Sequence, residues 1–208
     1  MFWYPKQEDY DAKDSQGVTL RDFLCAYRPG DYERPAVTVD NLILRKTNDG
    51  YSLLMIRRGR HPYYNMLALP GGFIEMTESL EDAAARELME ETGITGLKCT
   101  QLGAYGTVGR DPRLRIISVA YLCVIAKEIE CKAGDDASDA GFYTVKASKK
   151  MNNLETIYEL RLINGNDTAG AIIAETEGKR RITDSLIASD HAIMILDALE
   201  RLGSIENM

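Results

Sequence analysis

Three glutamates near the middle of the chain, Glu87, Glu90 and Glu91, have the residue type and spacing to hold a metal ion. On a helix advancing about 100° per residue, Glu91 lies about 40° from Glu87 and Glu90 about −60°, so the carboxylates share one stripe. Ala84, Ala85, Leu88 and Met89 fall beside them, from about 60° to about 200°, so the stripe borders the packing face of the helix. Like charges at these spacings repel by roughly 0.2–0.5 kcal/mol per pair, and more where water is withdrawn. A hard divalent cation removes that penalty, because carboxylate oxygens are its natural ligands. Mg²⁺ would keep waters, take phosphate oxygens as further ligands, offset charge on a leaving phosphate and position a water nucleophile. A solvated acidic helix is the other reading of these three residues taken alone.

The wider spacing favours the metal. Five residues separate Gly72 from Glu78 and seven separate Glu78 from Arg86-Glu87, after which come Leu88, Glu90-Glu91, Gly93 and Ile94. Seven fixed positions at about 1 in 15 each coincide by chance on the order of once in 10⁸ starting points, a figure that helical bias towards Glu, Arg and Ala relaxes by about two powers of ten. The segment resembles the Nudix hydrolases, whose box reads G-x5-E-x7-R-E-U-x-E-E-x-G-U with U aliphatic, and it fits without a departure. The resemblance implies hydrolysis of a nucleoside diphosphate linked to another moiety. It implies that Glu87, Glu90 and Glu91 are catalytic and ligate Mg²⁺, with Mn²⁺ as the alternative ion, helped by the carbonyl of Gly71. It also implies that Glu78 and Arg86 pair to hold the loop–helix–loop, with Gly72 and Gly93 as its structural glycines.

Substrate contacts are expected from Gly109-Arg110-Asp111-Pro112-Arg113-Leu114-Arg115. Arg113 and Arg115 are two apart and would share one face of a strand, and arginine suits bidentate contact with a pyrophosphate. Arg110 joins them as a candidate. A surface ion-pair pattern with neighbouring acids is the alternative. The run GAYGTVGRDPRLRIISVAY, with ERPAVTVD before it and GDDASDAGFY after it, is similar to one Nudix group. That group holds ADP-ribose pyrophosphatases and ADP-ribose-sensing transcription regulators, which implies ADP-ribose as ligand, cleaved to AMP and ribose 5-phosphate. Asp135 or Asp136 could add a carboxylate, or form an acidic surface turn. His61 sits in a Pro-containing loop near the site, His191 at a helix start reads as structural, and Tyr63, Tyr64 and Tyr105 could stack on an adenine.

Elements must hold these residues in place. Ser79 and Asp82 have capping-box-like spacing for a helix over Leu80–Thr92, and Gly93 suits its left-handed end. Strands are expected at Ala36–Arg45 and Ser52–Arg58 around the Asn48-Asp49-Gly50 turn, then at Cys99–Tyr105, Leu114–Ile125 and Gly141–Val145. Thr156–Ile163 and Thr168–Ala174 read as a hairpin about Asn164-Gly165-Asn166-Asp167, and a final helix runs over Ser189–Leu202. Thr19 can cap a short helix to Tyr27, residues 1–17 read as a tail or clasp, and Lys179-Arg180-Arg181 as a solvated face. Strands on both sides of one central helix suggest a mixed sheet with helices packed against it, and the resemblance implies the fold class α/β (α+β), a Nudix α/β/α sandwich around that sheet. It is divided as an N-terminal extension over 1–34, a hydrolase domain over 35–150, and a hairpin and helix over 151–208 that pack on the domain or on a partner subunit.

The 208 residues carry 25 Lys and Arg against 32 Asp and Glu, a net charge of −7, which argues against a general nucleic-acid binder. Four unpaired-looking cysteines, no signal-peptide pattern and no apolar run of about 20 residues point to the cytoplasm and away from a membrane. The expected partner is a small nucleotide diphosphate, and group resemblance adds a homodimer. Two further readings stay open: an ADP-ribose sensor with little or no turnover, and a nucleoside triphosphate pyrophosphatase. The sensors carry a winged-helix domain after a helix like SDHAIMILDALERL, and the chain is expected to lack one.

Overall fold

The computed structural model describes residues 6–131, 137–152 and 154–207. Contacts divide the chain into two units, residues 1–34 and 35–208. Within the first, α1 (Gln7–Asp11) starts where Asp9 Oδ2 accepts the Lys6 N–H at 2.7 Å. This five-residue helix lies in the stretch read as tail or clasp, which has no apolar periodicity to betray it. In α2 (Leu20–Ala26) the Thr19 Oγ1 accepts the Asp22 N–H at 3.1 Å, the expected cap.

The second unit is built on one mixed sheet. β1 (Ala36–Thr47) and β2 (Gly50–Arg58) form an antiparallel hairpin, and β3 (Leu67–Ala68) and β4 (Gly71–Phe73) pair with β2 and β1. After α3 (Leu80–Thr92) come β5 (Thr100–Tyr105), β6 (Ile116–Ile125), β7 (Ala137–Met151), β8 (Thr156–Asn164), β9 (Asp167–Thr176) and β10 (Lys179–Ser185). The chain closes with α4 (His191–Arg201) and β11 (Glu206–Asn207). The strand order is β10-β9-β8-β7-β2-β1-β6-β5, parallel between β1 and β6 and antiparallel along the rest of that path.

Alternation along the central strands sends side chains to both faces. Val39, Ile43, Val119, Tyr121 and Cys123 lie under α3, where they meet Ala83, Ala84 and Leu88. Leu42, Leu44, Leu53, Met55, Ala120 and Leu122 lie in the cluster of α4, with Ala192, Ile195 and Leu199. A sheet covered on both sides is why its strands read as near-continuous apolar runs. Among the described residues no helix is long and apolar enough to cross a membrane.

Three elements depart from the sequence reading. β7 extends well past Gly141–Val145, because Lys146, Lys149 and Lys150 hide a strand that β2 pairs over one part and β8 over the rest. The sheet therefore runs unbroken across residue 150. β10 occupies the basic run, and alternation separates its side chains: Lys179 and Arg181 are exposed, whereas Arg180 turns inward. Its guanidinium meets Glu175 at 2.6 Å, Glu200 at 2.5 Å and Asp197, over the ring of Tyr158. β6 starts at Ile116 rather than Leu114, with consequences for the arginines before it.

α4 is fixed at its first residue. His191 Nδ1 accepts the Leu69 N–H at 3.0 Å, and its Nε2 lies 3.4 Å from Asp40 Oδ1. Burial lowers the imidazole pKa, against the pull of Asp40 and Asp190 towards the charged form and alongside the cations Arg110 and Arg58. A depressed folded-state value means the unfolded chain binds the proton more readily. This contribution to stability is complete above the ordinary value near 6.5 and is lost as the pH falls below it. The urea midpoint of the wild type should fall from pH 7.5 to 5.5 by more than that of His191→Leu, with a limiting slope of about 1.4 kcal/mol per pH unit; equal slopes would contradict this account.

Candidate functional site

Local chemistry delimits α3. Ser79 Oγ accepts the Asp82 N–H at 3.1 Å at the start, and Gly93 ends the helix at φ 72° with its N–H on Met89 O at 2.8 Å. Ala83, Ala84, Leu88 and Thr92 are buried against the sheet, which fixes the rotation of the helix. That rotation brings Glu87 and Glu91 to the wall of a cleft of about 410 Å³ between α3, β4, the end of β2 and the start of α4. Glu90 does not line the cleft, and half of its side chain is exposed.

β4 closes the other side of the carboxylates. Gly71 donates its N–H to Glu91 Oε2 at 2.7 Å. A Cβ on Gly71 would sit 2.1 Å from Val39 O, and one on Gly72 would sit 2.5–2.6 Å from the Glu87 carboxylate. Only glycine allows so close an approach. Arg86 braces the loop: Nε and Nη2 meet Glu78 at 3.0 and 2.7 Å, and Nη2 also reaches Phe73 O at 3.0 Å. Its Nη1 contacts Glu87 at 2.7 Å and Glu90 at 3.1 Å. The hydrogen bonds from Arg86 hold the Glu78 carboxyl below its ordinary pKa.

The electrostatics differ along the stripe. Burial raises Glu91 to about 8, against the stabilising Gly71 N–H. Glu87 is also raised, first by burial, with Arg86 opposing. Burial thus makes both groups costly to ionise, a cost that a divalent cation offsets. Among the described residues, however, three His, Cys, Asp or Glu side chains do not converge as a ready-made metal cluster. Arg86 Nη1 bridges Glu87 and Glu90, and Glu91 is engaged with Gly71. The donor chemistry of Glu87 and Glu91 fits a hard cation, with the Arg86 contact to Glu87 as the one to be exchanged.

Of the three arginines expected at a substrate, two line the cleft, and both are paired with an acid. Arg113 lines it, paired with Asp111 at 2.9 Å and lying 5.1 Å from the Phe73 ring centroid. Arg110 also lines it, but its side chain is only 5% exposed and pairs through Nε and Nη2 with Asp190 at 2.8 and 2.5 Å. Arg115 is exposed, donates to Thr107 O at 3.4 Å and does not line the cleft. The expected shared face fails because both Arg113 and Arg115 precede β6, where strand alternation does not apply. His61 lines the cleft, with its ring centroid 5.9 Å from that of Tyr64. Tyr63 lines it as well, whereas Tyr105 donates to Asp197 at 2.8 Å. Asp135 and Asp136 lie outside the described residues.

Sequence reasoning missed Arg58, Asp40 and Ser189 at this cleft and took His191 as structural only. Arg58 could have been suspected from the IRRGR run at the end of β2. Asp40 is a single acid within an apolar strand, 6% exposed, and its Oδ2 accepts from Ser118 Oγ.

The chain is similar to several known proteins. An ADP-ribose pyrophosphatase of Methanocaldococcus jannaschii is 41% identical over 121 residues, covering 58% of this chain and 68% of that protein. The ADPR responsive transcriptional repressor NtrR of Acinetobacter baylyi is 36% identical over 105 residues, covering 50% of this chain and 42% of the repressor. The crystal structure of a MutT/nudix family protein from Enterococcus faecalis superposes with a TM-score of 0.70 at 29% identity, over 97% of this chain and 76% of that one. The NUDIX domain pattern matches residues 34–160, which takes in α3, β4 and the loop before β6, and the chain belongs to the NUDIX domain family.

Proposed function

We propose that this chain hydrolyses the pyrophosphate bond of ADP-ribose, giving AMP and ribose 5-phosphate, with Mg²⁺ held by Glu87 and Glu91 and with Glu90 and the Gly71 carbonyl as further donors. The observation that carries the reading is the pair of desolvated carboxylates, one helical turn apart, in a cleft that also presents Arg113. Similarity to the M. jannaschii pyrophosphatase supports the choice of substrate. When bound, the cation supplies charge for the phosphate oxygens and lowers the pKa of water.

The chain's own residues do the rest. Arg113 contacts the diphosphate, and Asp111 keeps its guanidinium oriented through Nε and Nη2. Arg86 holds the stripe and the loop in register while Gly71 and Gly72 leave room at the carboxylates. Water adds to one phosphorus, the bridging P–O bond breaks, the oxygen departs with the other phosphate, and the released proton passes to a carboxylate or to solvent. Sensing of ADP-ribose with weak turnover is the second reading, favoured by similarity to the Acinetobacter repressor. A panel of ADP-ribose, other nucleotide sugars, dinucleotides and nucleoside triphosphates with Mg²⁺ separates these readings. Rates that are equal and at trace level throughout would overturn the hydrolase reading.

For assembly we infer a homodimer. Phe23 and Leu24 on α2, and Tyr27 just after it, are exposed large hydrophobic side chains that a second copy would cover. The four cysteines are free, in keeping with a reducing cytoplasmic compartment.

Glu91→Gln should lower kcat by about 10²-fold or more with the fold intact, since several kcal/mol of charge stabilisation is lost; wild-type turnover would remove Glu91 from the site. Arg113→Ala should raise KM by about 10-fold or more and change kcat little, as expected for a lost charge-assisted contact; an unchanged KM would leave Arg113 as a partner of Asp111 alone. Light scattering at micromolar concentration should give twice the chain mass, and a monomer mass would count against the dimer.

A further inference from the structure

Beyond the residues matched by the family pattern, the segment Ile187–His191 reaches the back of the carboxylate site. Four hydrogen bonds place the chain between β3 and the start of β4. Leu67 O accepts the Ala188 N–H at 2.8 Å, and Leu69 N–H is accepted by His191 Nδ1 at 3.0 Å. Pro70 O accepts the Asn41 N–H at 2.8 Å, and Gly71 N–H goes to Glu91 Oε2 at 2.7 Å. The first two come from the entry to α4, on the face of the sheet opposite α3.

We propose that His191 is a positioning residue for the metal-holding carboxylates: it sets the backbone of Leu69–Gly71 and, through the Gly71 N–H, the Glu91 carboxylate. Accepting the Leu69 N–H leaves the imidazole proton on Nε2. That nitrogen faces Asp40 Oδ1 at 3.4 Å, and the other Asp40 oxygen accepts from Ser118 Oγ. Asp40 is also the β1 residue registered opposite Gly71. Both ring nitrogens therefore act on the strand pair that carries Gly71, one from each side.

The strand has no slack in which to absorb an error. The site a Cβ would take on Gly71 is already filled by Val39 O and by Asp40. Leu69 is 1% exposed and His191 8%, so water cannot readily replace the imidazole at the Leu69 N–H. The α4 entry is itself anchored, since Asp190 pairs with the nearly buried Arg110 and Ser189 Oγ donates to Arg110 O at 2.8 Å. Residues that hold ligands in place from behind commonly change metal affinity 10–100-fold when removed.

The proposal rests on the reading of Glu91 as a metal ligand, and the test separates the two. Mn²⁺ binding to the full chain is titrated by electron paramagnetic resonance of the free ion for wild type, His191→Leu, His191→Asn and Glu91→Gln. His191→Leu should weaken Mn²⁺ roughly tenfold or more. His191→Asn, whose Oδ1 can stand where Nδ1 accepts, should restore most of the affinity. The ¹⁵N shift of the Gly71 amide should move in His191→Leu and return in His191→Asn, and the wild-type imidazole should carry its proton on Nε2. Unchanged Mn²⁺ binding in His191→Leu, equal weakening in Leu and Asn variants, or a proton on Nδ1 overturns the proposal. Should His191→Leu fail to fold, His191→Gln replaces it, because its longer amide does not reach as Nδ1 does; Gln binding Mn²⁺ as well as Asn does is then the overturning result. Glu91→Gln is the control. If it loses Mn²⁺ while His191→Leu does not, the positioning role alone fails; if it binds as wild type does, the metal reading fails first.

Discussion

Holding ionisable carboxylates away from water is the constraint around which the rest of this structure is arranged. Glu91 is driven to a pKa of about 8 by burial, and Glu87 moves in the same direction. A surface helix would simply turn such residues to solvent. Here Ala83, Ala84 and Leu88 lock the rotation of α3 against the sheet, so the two glutamates face a cleft instead. The glycines of β4 are the other half of the arrangement, because any side chain there would occupy the volume of the carboxylates or of β1. Arg86 supplies charge to Glu78, Glu87 and Glu90 together, which keeps the loop folded around an otherwise repulsive stripe.

The sheet links the two helical layers to this one point. β1 carries Val39 and Asn41 towards α3 and Asp40 towards α4, and Asn41 Nδ2 reaches Ala84 O at 2.9 Å. Three consecutive residues of one strand thus touch both helices and the strand bearing Gly71. Displacing α4 would be felt at the carboxylates through backbone hydrogen bonds as well as through apolar packing. The loop before β6 is joined to the same framework by Arg110 and Asp190, while Arg113, held by Asp111, is more exposed at the cleft than Arg110.

What could be read from residues alone follows from how local the controlling physics is. The bounds of α3, its Ser79 cap and the left-handed Gly93 depend on neighbours within a few positions, and the observed helix matches them. The Asn-Gly hairpin between β8 and β9 was equally plain. β7 was seen only in its apolar middle, because Lys146, Lys149 and Lys150 carry no apolar alternation and this part becomes a strand through backbone pairing with the adjoining β8 and with the distant β11. The arginines before β6 were misjudged for a related reason: an i, i+2 rule was applied two residues too early. The partners of Arg180 and His191 could not be foreseen without knowing which distant acids and amides would meet them, although His191 does stand at a helix start as expected. Their contacts span 17 and 122 positions, beyond any periodicity.

The length of β7 has a further consequence. Its fifteen residues serve as a shared seam, with β2 zipped to one part and β8 to the rest. Cutting the chain just after this strand would leave a row of open amide and carbonyl groups beside bare apolar surface, a template for intermolecular β-pairing. The part of the chain up to β7, once severed from the later hairpin, should therefore be prone to clumping, even though it would retain Glu87, Glu91 and Arg113.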